Sequence, residues 1–145
     1  MRMLAAYKPE VSLSVTHLDG LVLARSAFHH SVNYRSVSIF SRPELVRDTA
    51  ELDHILEVFT EKMCPGRWND IRKPTANEWK ETMVLKLPIE EAVAKVRTGP
   101  PKDDQEDYDG PWWAGVLPMK ITKGKPEADP LLKAGVEVPG YLASQ

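Results

Sequence analysis

The sequence predicts an α+β protein, mainly β, in which antiparallel strands build a barrel and a helical pair is inserted between them. Three successive runs between Val11 and Phe40 alternate apolar with small or polar residues at period two, the strand period. No crossover helix fits between these runs, which excludes a doubly wound parallel sheet. One segment, beginning at Asp48, switches to helical spacing before strand-like runs return.

Taken in order, Val11, Leu13 and Val15 point one way while Ser12, Ser14 and Thr16 point the other. Asp19-Gly20 in "THLDG" is a tight-turn signal leading into "LVLARSAF", so Val11 to Phe28 is expected to form a hairpin. "YRSVSIF" alternates again and supplies a third strand. Asp48 is placed to cap a helix with Glu51 three residues on, and Leu52, Ile55, Leu56, Phe59 and Met63 follow along one face. Pro65-Gly66 ends that helix. After the loop "PGRWNDIRKP", Thr75 and Glu78 form a second capping signature that opens a short helix carrying Trp79. "MVLKLPI" and "EAVAKVRTG" read as strands separated by a turn near Pro88. "PPKDDQEDYDGP" has no apolar period and is a loop, "WWAGVLPMKI" returns to strand composition, and Pro126, Pro130 and Pro139 break the tail.

A chain of 145 residues fits one domain, taken here as 1–145. Net charge is only −2, which disfavours nucleic-acid binding driven by a basic surface. Cys64 is the single cysteine, so no internal disulfide forms and no zinc cage is available. The start "MRMLAAYKPE" lacks an export-type apolar core, and no run of roughly 18 apolar residues exists to span a bilayer. A cytoplasmic protein without membrane attachment is expected.

Several side chains carry candidate chemistry. His29 and His30 are adjacent, so on a strand they face opposite sides, and no metal-ligand spacing accompanies them; no metal is expected. Cys64 beside Pro65 reads as a packed thiol rather than a nucleophile. No glycine-rich phosphate loop occurs. Arg25, Arg35, Lys95 and Arg97 fall on or beside strands. Set next to small hydroxyl residues such as Ser36, they would make a phosphate cradle; the alternative is that they pair with Asp19, Glu90 or the acidic loop. Trp112-Trp113 would cover a planar ring or serve as core or interface.

Four motifs in register, "THLDGLVLARSAFHHSVNYRSVSIF", "CPGRW", "AKVRTGPPKDDQEDY" and "WAGVLP", resemble the pyridoxamine 5'-phosphate oxidase-related flavin-nucleotide-binding proteins. That family has an FMN-binding split β-barrel and includes nitroimidazole-resistance-type proteins. Its members carry an upstream segment with the opening barrel strands, so the resemblance assigns this chain to the C-terminal two-thirds of the family's domain.

The resemblance implies FMN as cofactor, bound between the subunits of a homodimer, and an oxidoreductase acting on a small molecule. Arg2 falls at a serine-arginine step that touches the flavin phosphate in many relatives, here with Met1 and Met3 as neighbours. Ser36, within "YRSV" beside Arg35, matches the strand position facing the flavin. His29, His30 and Tyr34 belong to the family's signature connection, and Arg97 and Trp113 match later segments near the cofactor; Lys95 joins the cofactor-binding set as a strand-borne cation. The polar connection Ser26 to Phe40 would then close over a flavin, supplying donors for ring heteroatoms and phosphate oxygens. The other readings are a flavin store without turnover and a shortened relative that binds no FMN.

Overall fold

The computed structural model of the chain describes residues 9–143. In chain order the strands are β1 (Val11–Leu23), β2 (Ser31–Ser41), β3 (Glu44–Leu45), β4 (Leu85–Lys86), β5 (Glu91–Arg97) and β6 (Gly115–Pro118). The principal helices are α1 (Thr49–Met63) and α2 (Ala76–Glu81). The described residues divide into two compact units, one of residues 9–43 and 87–121, the other of residues 44–86 and 122–143.

The first unit is a four-stranded antiparallel sheet ordered β5-β2-β1-β6. It is open rather than a closed barrel, with β5 and β6 as its edges. β1 corrects the sequence reading: Val11 to Phe28 is not a hairpin, because the chain runs straight through Asp19-Gly20 as one 13-residue strand. A register shift between Leu18 and Gly20 leaves Asp19 as a bulge. The Asp19 carboxylate is taken by Arg35 of β2, and Gly20 does not adopt the positive φ that a two-residue turn demands. Gly20 serves close approach instead: a Cβ there would stand 3.0 Å from the Leu117 carbonyl oxygen of β6.

Pairing register assigns the faces. Leu13 opposes Ile39 and Val15 opposes Val37 on one face, while Ser14 opposes Ser38 and Thr16 opposes Ser36 on the other. Burial is concentrated at the β6 end, where Val22 is fully buried and Ala24 and Asn33 nearly so. Farther along β1 and β2 the apolar face stays open, with Leu13, Val15 and Val37 each at least 40% exposed.

In the second unit, Asp48 caps α1 by accepting the Glu51 N–H at 2.8 Å. The Glu51 carboxylate does not complete a reciprocal box; it pairs with Lys86 of β4. The apolar stripe of α1 is present but only partly covered: Leu52, Ile55 and Leu56 are half-buried, while Phe59 and Met63 are exposed. "CPGRW" is held by Glu61, whose carboxylate accepts the N–H groups of Gly66 (2.7 Å) and Trp68 (2.8 Å), with Gly66 at φ +89°. Those two backbone donors hold the Glu61 carboxyl below its ordinary range.

The second helix start is the full box read from the sequence. Thr75 and Glu78 satisfy each other's backbone N–H groups, and the Arg72 guanidinium grips the Glu78 carboxylate at 2.6 and 2.8 Å. The Arg72 bonds, followed by those from Thr75, lower the Glu78 pKa from 4.5 to about 2. A depressed folded-state pKa means that this stabilisation is complete above the ordinary glutamate pKa and disappears as pH falls from about 4.5 to about 2. Glu78→Gln should therefore lower the thermal midpoint at pH 7, and that difference should vanish near pH 2. A midpoint difference that stays constant across the titration would show that the carboxylate's charge contributes nothing.

Candidate functional site

The hydroxylated face of the sheet is the best-organised polar surface of the first unit. Ser14 Oγ lies 2.7 Å from Ser38 Oγ, and Thr16 Oγ1 lies 2.8 Å from Ser36 Oγ, forming two cross-strand hydroxyl pairs. Each pair consumes one hydroxyl hydrogen, so each retains a second O–H and free lone pairs for another partner. Beyond Ser36, the register sets Lys95 of β5 on the same row. Among the described residues the Lys95 side chain has no hydrogen bond or ion pair, which leaves its ammonium uncommitted beside the Thr16–Ser36 pair. Hydroxyl donors with an adjacent cation form a donor set that suits phosphate oxygens.

The other strand-borne cations are engaged. Arg35 lies on the opposite face from Ser36 and bonds Asp19 through both Nε and Nη2 at 2.9 Å. The Arg35 hydrogen bonds hold the Asp19 carboxyl below its usual range, and Asp19 in turn raises the Arg35 pKa. Arg25 pairs with Asp103 at 3.0 Å and stacks 4.6 Å from the Tyr108 ring centroid. Arg97 is opposite Tyr34 in register, but its Nη1 donates to Oδ1 of buried Asn33 at 2.6 Å, while Asn33 Nδ2 donates to the Gly99 carbonyl. The ion-pair alternative therefore describes Arg25 and Arg35, whereas Lys95 stands opposite Ser36 with no side-chain partner among the described residues.

The remaining sequence candidates are dispersed. His30 Nδ1 accepts the Ala24 N–H at 2.9 Å, which fixes that ring from its own connection. His29 occupies the short 3₁₀ turn Ala27–His29, with Nε2 3.2 Å from Asp104 Oδ2. Trp113 is 71% exposed, and its ring packs so close to Gly115 that a Cβ there would meet it at 2.8 Å. Arg2 lies outside the described residues.

The acidic loop holds what sequence reading understated. The Asp103 side chain has no accessible surface and accepts from the Arg25 N–H (2.9 Å), the Arg25 guanidinium (3.0 Å) and the Ser26 N–H (3.4 Å). Burial alone would push this carboxyl's pKa upward, but the guanidinium and the two amides outweigh it and keep the pKa low. A segment without apolar period is thus fastened to the histidine connection by one carboxylate. Asp103→Ala should accelerate hydrogen exchange at the Arg25 and Ser26 amides more than at the amides of β1 and β2. Unchanged exchange at both amides would mean that the loop is held by something other than this carboxylate.

Residues 1–96 match the family model described as pyridoxamine 5'-phosphate oxidase. Among solved structures, the chain is 41% identical to the flavocytochrome Anf3 from Azotobacter vinelandii, with a TM-score of 0.88 over 99% of this chain and 66% of that one. It is 35% identical to the FAD and heme binding protein from Mycobacterium smegmatis, with a TM-score of 0.89 over 99% of this chain and 70% of that one. No curated protein matches.

Proposed function

Because the chain belongs to the pyridoxamine 5'-phosphate oxidase family, we propose that it binds a flavin nucleotide and works as a flavin-dependent oxidoreductase on a small organic molecule. One observation carries the reading: the Thr16–Ser36 hydroxyl pair beside an uncommitted Lys95 offers what a flavin phosphate needs on an open sheet face. Ser36 and Lys95 would hold the phosphate, with Arg97 available through the guanidinium nitrogens not bound to Asn33. Tyr34, two residues along β2 from Ser36 and opposite Arg97, would face the ring side. His29, His30, Trp113 and Arg2 complete the proposed set from the family resemblance, while Arg35, held by Asp19 on the opposite face, is left out of it. When bound, the flavin supplies two-electron redox chemistry, and the protein's part is to position it.

FMN is the cofactor that the family resemblance implies. A second reading, FAD with heme, is favoured by the Mycobacterium smegmatis relative, which binds both. The open apolar face bearing Leu13, Val15 and Val37 supports a homodimer; a cofactor at the subunit interface is what the family resemblance implies. No helix among the described residues is long and apolar enough to cross a membrane, and the proposal involves neither membrane nor nucleic acid.

Purification followed by an absorbance scan, heat release and mass measurement tests this reading. Flavin bands with a mass of FMN support the first form; a mass of FAD with a Soret band supports the second. A folded, colourless protein that takes up neither added nucleotide would overturn both. Consumption of NADH or NADPH under air by the flavin-loaded protein distinguishes an oxidoreductase from a flavin store.

A further inference from the structure

At the end of β1 and β2 opposite the hydroxyl pairs, two short turns meet. The first, Ala27–His29, is closed by Ser26, whose Oγ accepts the Phe28 N–H and whose carbonyl accepts the His29 N–H, both at 3.2 Å. The second, Gln105–Asp109, begins where the Asp107 N–H donates to the Asp104 carbonyl at 3.0 Å. In a 3₁₀ turn, residues three apart share one side, so Asp104 and Asp107 lie together. His29 enters from a segment 75 residues away. One donor atom from each of His29, Asp104 and Asp107 falls within 4.8 Å of the others.

This arrangement is electrostatically incomplete. Two neighbouring carboxylates repel, and the nearby cation, Arg25, is committed to Asp103 and the Tyr108 ring. The half-buried Asp107 carboxylate has no hydrogen-bond donor among the described residues. Both turns are nevertheless fixed in place, because Asp103, next to Asp104, is bonded to the backbone just ahead of the histidine turn. One contact, His29 Nε2 to Asp104 Oδ2 at 3.2 Å, already joins the two turns, and Asp107 completes a set of one imidazole nitrogen and two carboxylate oxygens on a preorganised frame.

We infer that His29, Asp104 and Asp107 form a binding site for a divalent first-row transition-metal ion. The mixed nitrogen and oxygen donor set suits Mn²⁺, Fe²⁺, Co²⁺ or Zn²⁺, whereas Ca²⁺ and Mg²⁺ take oxygen-only sets. Three protein ligands leave further positions to water, and the bound ion cross-links the two turns. The site shares none of the hydroxyl or Lys95 groups proposed for the flavin phosphate; His29 alone is common to it and to the proposed flavin set.

Untagged protein, carrying whatever flavin it purifies with, would be stripped with chelator and titrated with Co²⁺ by calorimetry and visible absorbance. One Co²⁺ should bind per chain, with affinity lowered roughly 10–100-fold in His29→Gln and in Asp107→Asn. Asp109→Asn, an acidic change in the same turn outside the trio, should leave affinity within about twofold. Pulsed EPR of the Mn²⁺-loaded wild type should show coupling to a histidine nitrogen, a readout that does not depend on any variant folding. Absence of stoichiometric binding, absence of nitrogen coupling, or equal weakening by Asp109→Asn would each overturn the assignment.

Discussion

Val22→Ala is expected to destabilise the protein by about 1.5–3 kcal/mol, the largest loss from any single truncation in the sheet. Val22 is fully buried between β2 and β6, with Ser31 and Val116 as its register partners. Two methyl groups leave a site that the flanking backbone keeps open. Their transfer is worth about 0.8 kcal/mol each, and the residual cavity adds to it. Val15, seven residues nearer the start of β1, is 51% exposed, so Val15→Ala should change stability by no more than about 0.5 kcal/mol. Urea unfolding of the two variants under identical conditions measures the contrast. Equal midpoints would show that the covered end of the sheet contributes no more than the open end.

Lys95→Ala should weaken flavin binding by about 1.5–3 kcal/mol, roughly 10–150-fold in Kd, while leaving the unfolding midpoint nearly unchanged. Its ammonium makes no bond within the described protein, so truncation removes nothing from the fold and everything from a phosphate contact. Arg35→Ala is the informative contrast. That guanidinium belongs to Asp19 on the other face, and its loss should disturb the bulge in β1 more than the cofactor. Fluorescence titration with FMN and with FAD reads both variants. Wild-type affinity in Lys95→Ala would remove the hydroxyl face from the flavin site.

The sequence by itself determined the local structure, because local structure is set by neighbours along the chain. Period-two alternation gave the strands, Asp48 and the Thr75–Glu78 pair gave the helix starts, and four motifs in register gave the family. The misread hairpin at Asp19-Gly20 shows where that reach ends. The same dipeptide serves a tight turn or a bulge, and the choice was made by Arg35, a residue on another strand, and by the close passage of Leu117.

Only the tertiary structure decided which charges were already spent. Arg25, Arg35, Lys95 and Arg97 are indistinguishable in sequence, yet Asp103, Asp19 and Asn33 engage three of them and Lys95 stays uncommitted. It likewise joined His29 to Asp104 and Asp107 across 75 residues or more of chain. Coulomb and hydrogen-bond energies depend on distances of a few ångströms in space, which no pattern along the chain encodes.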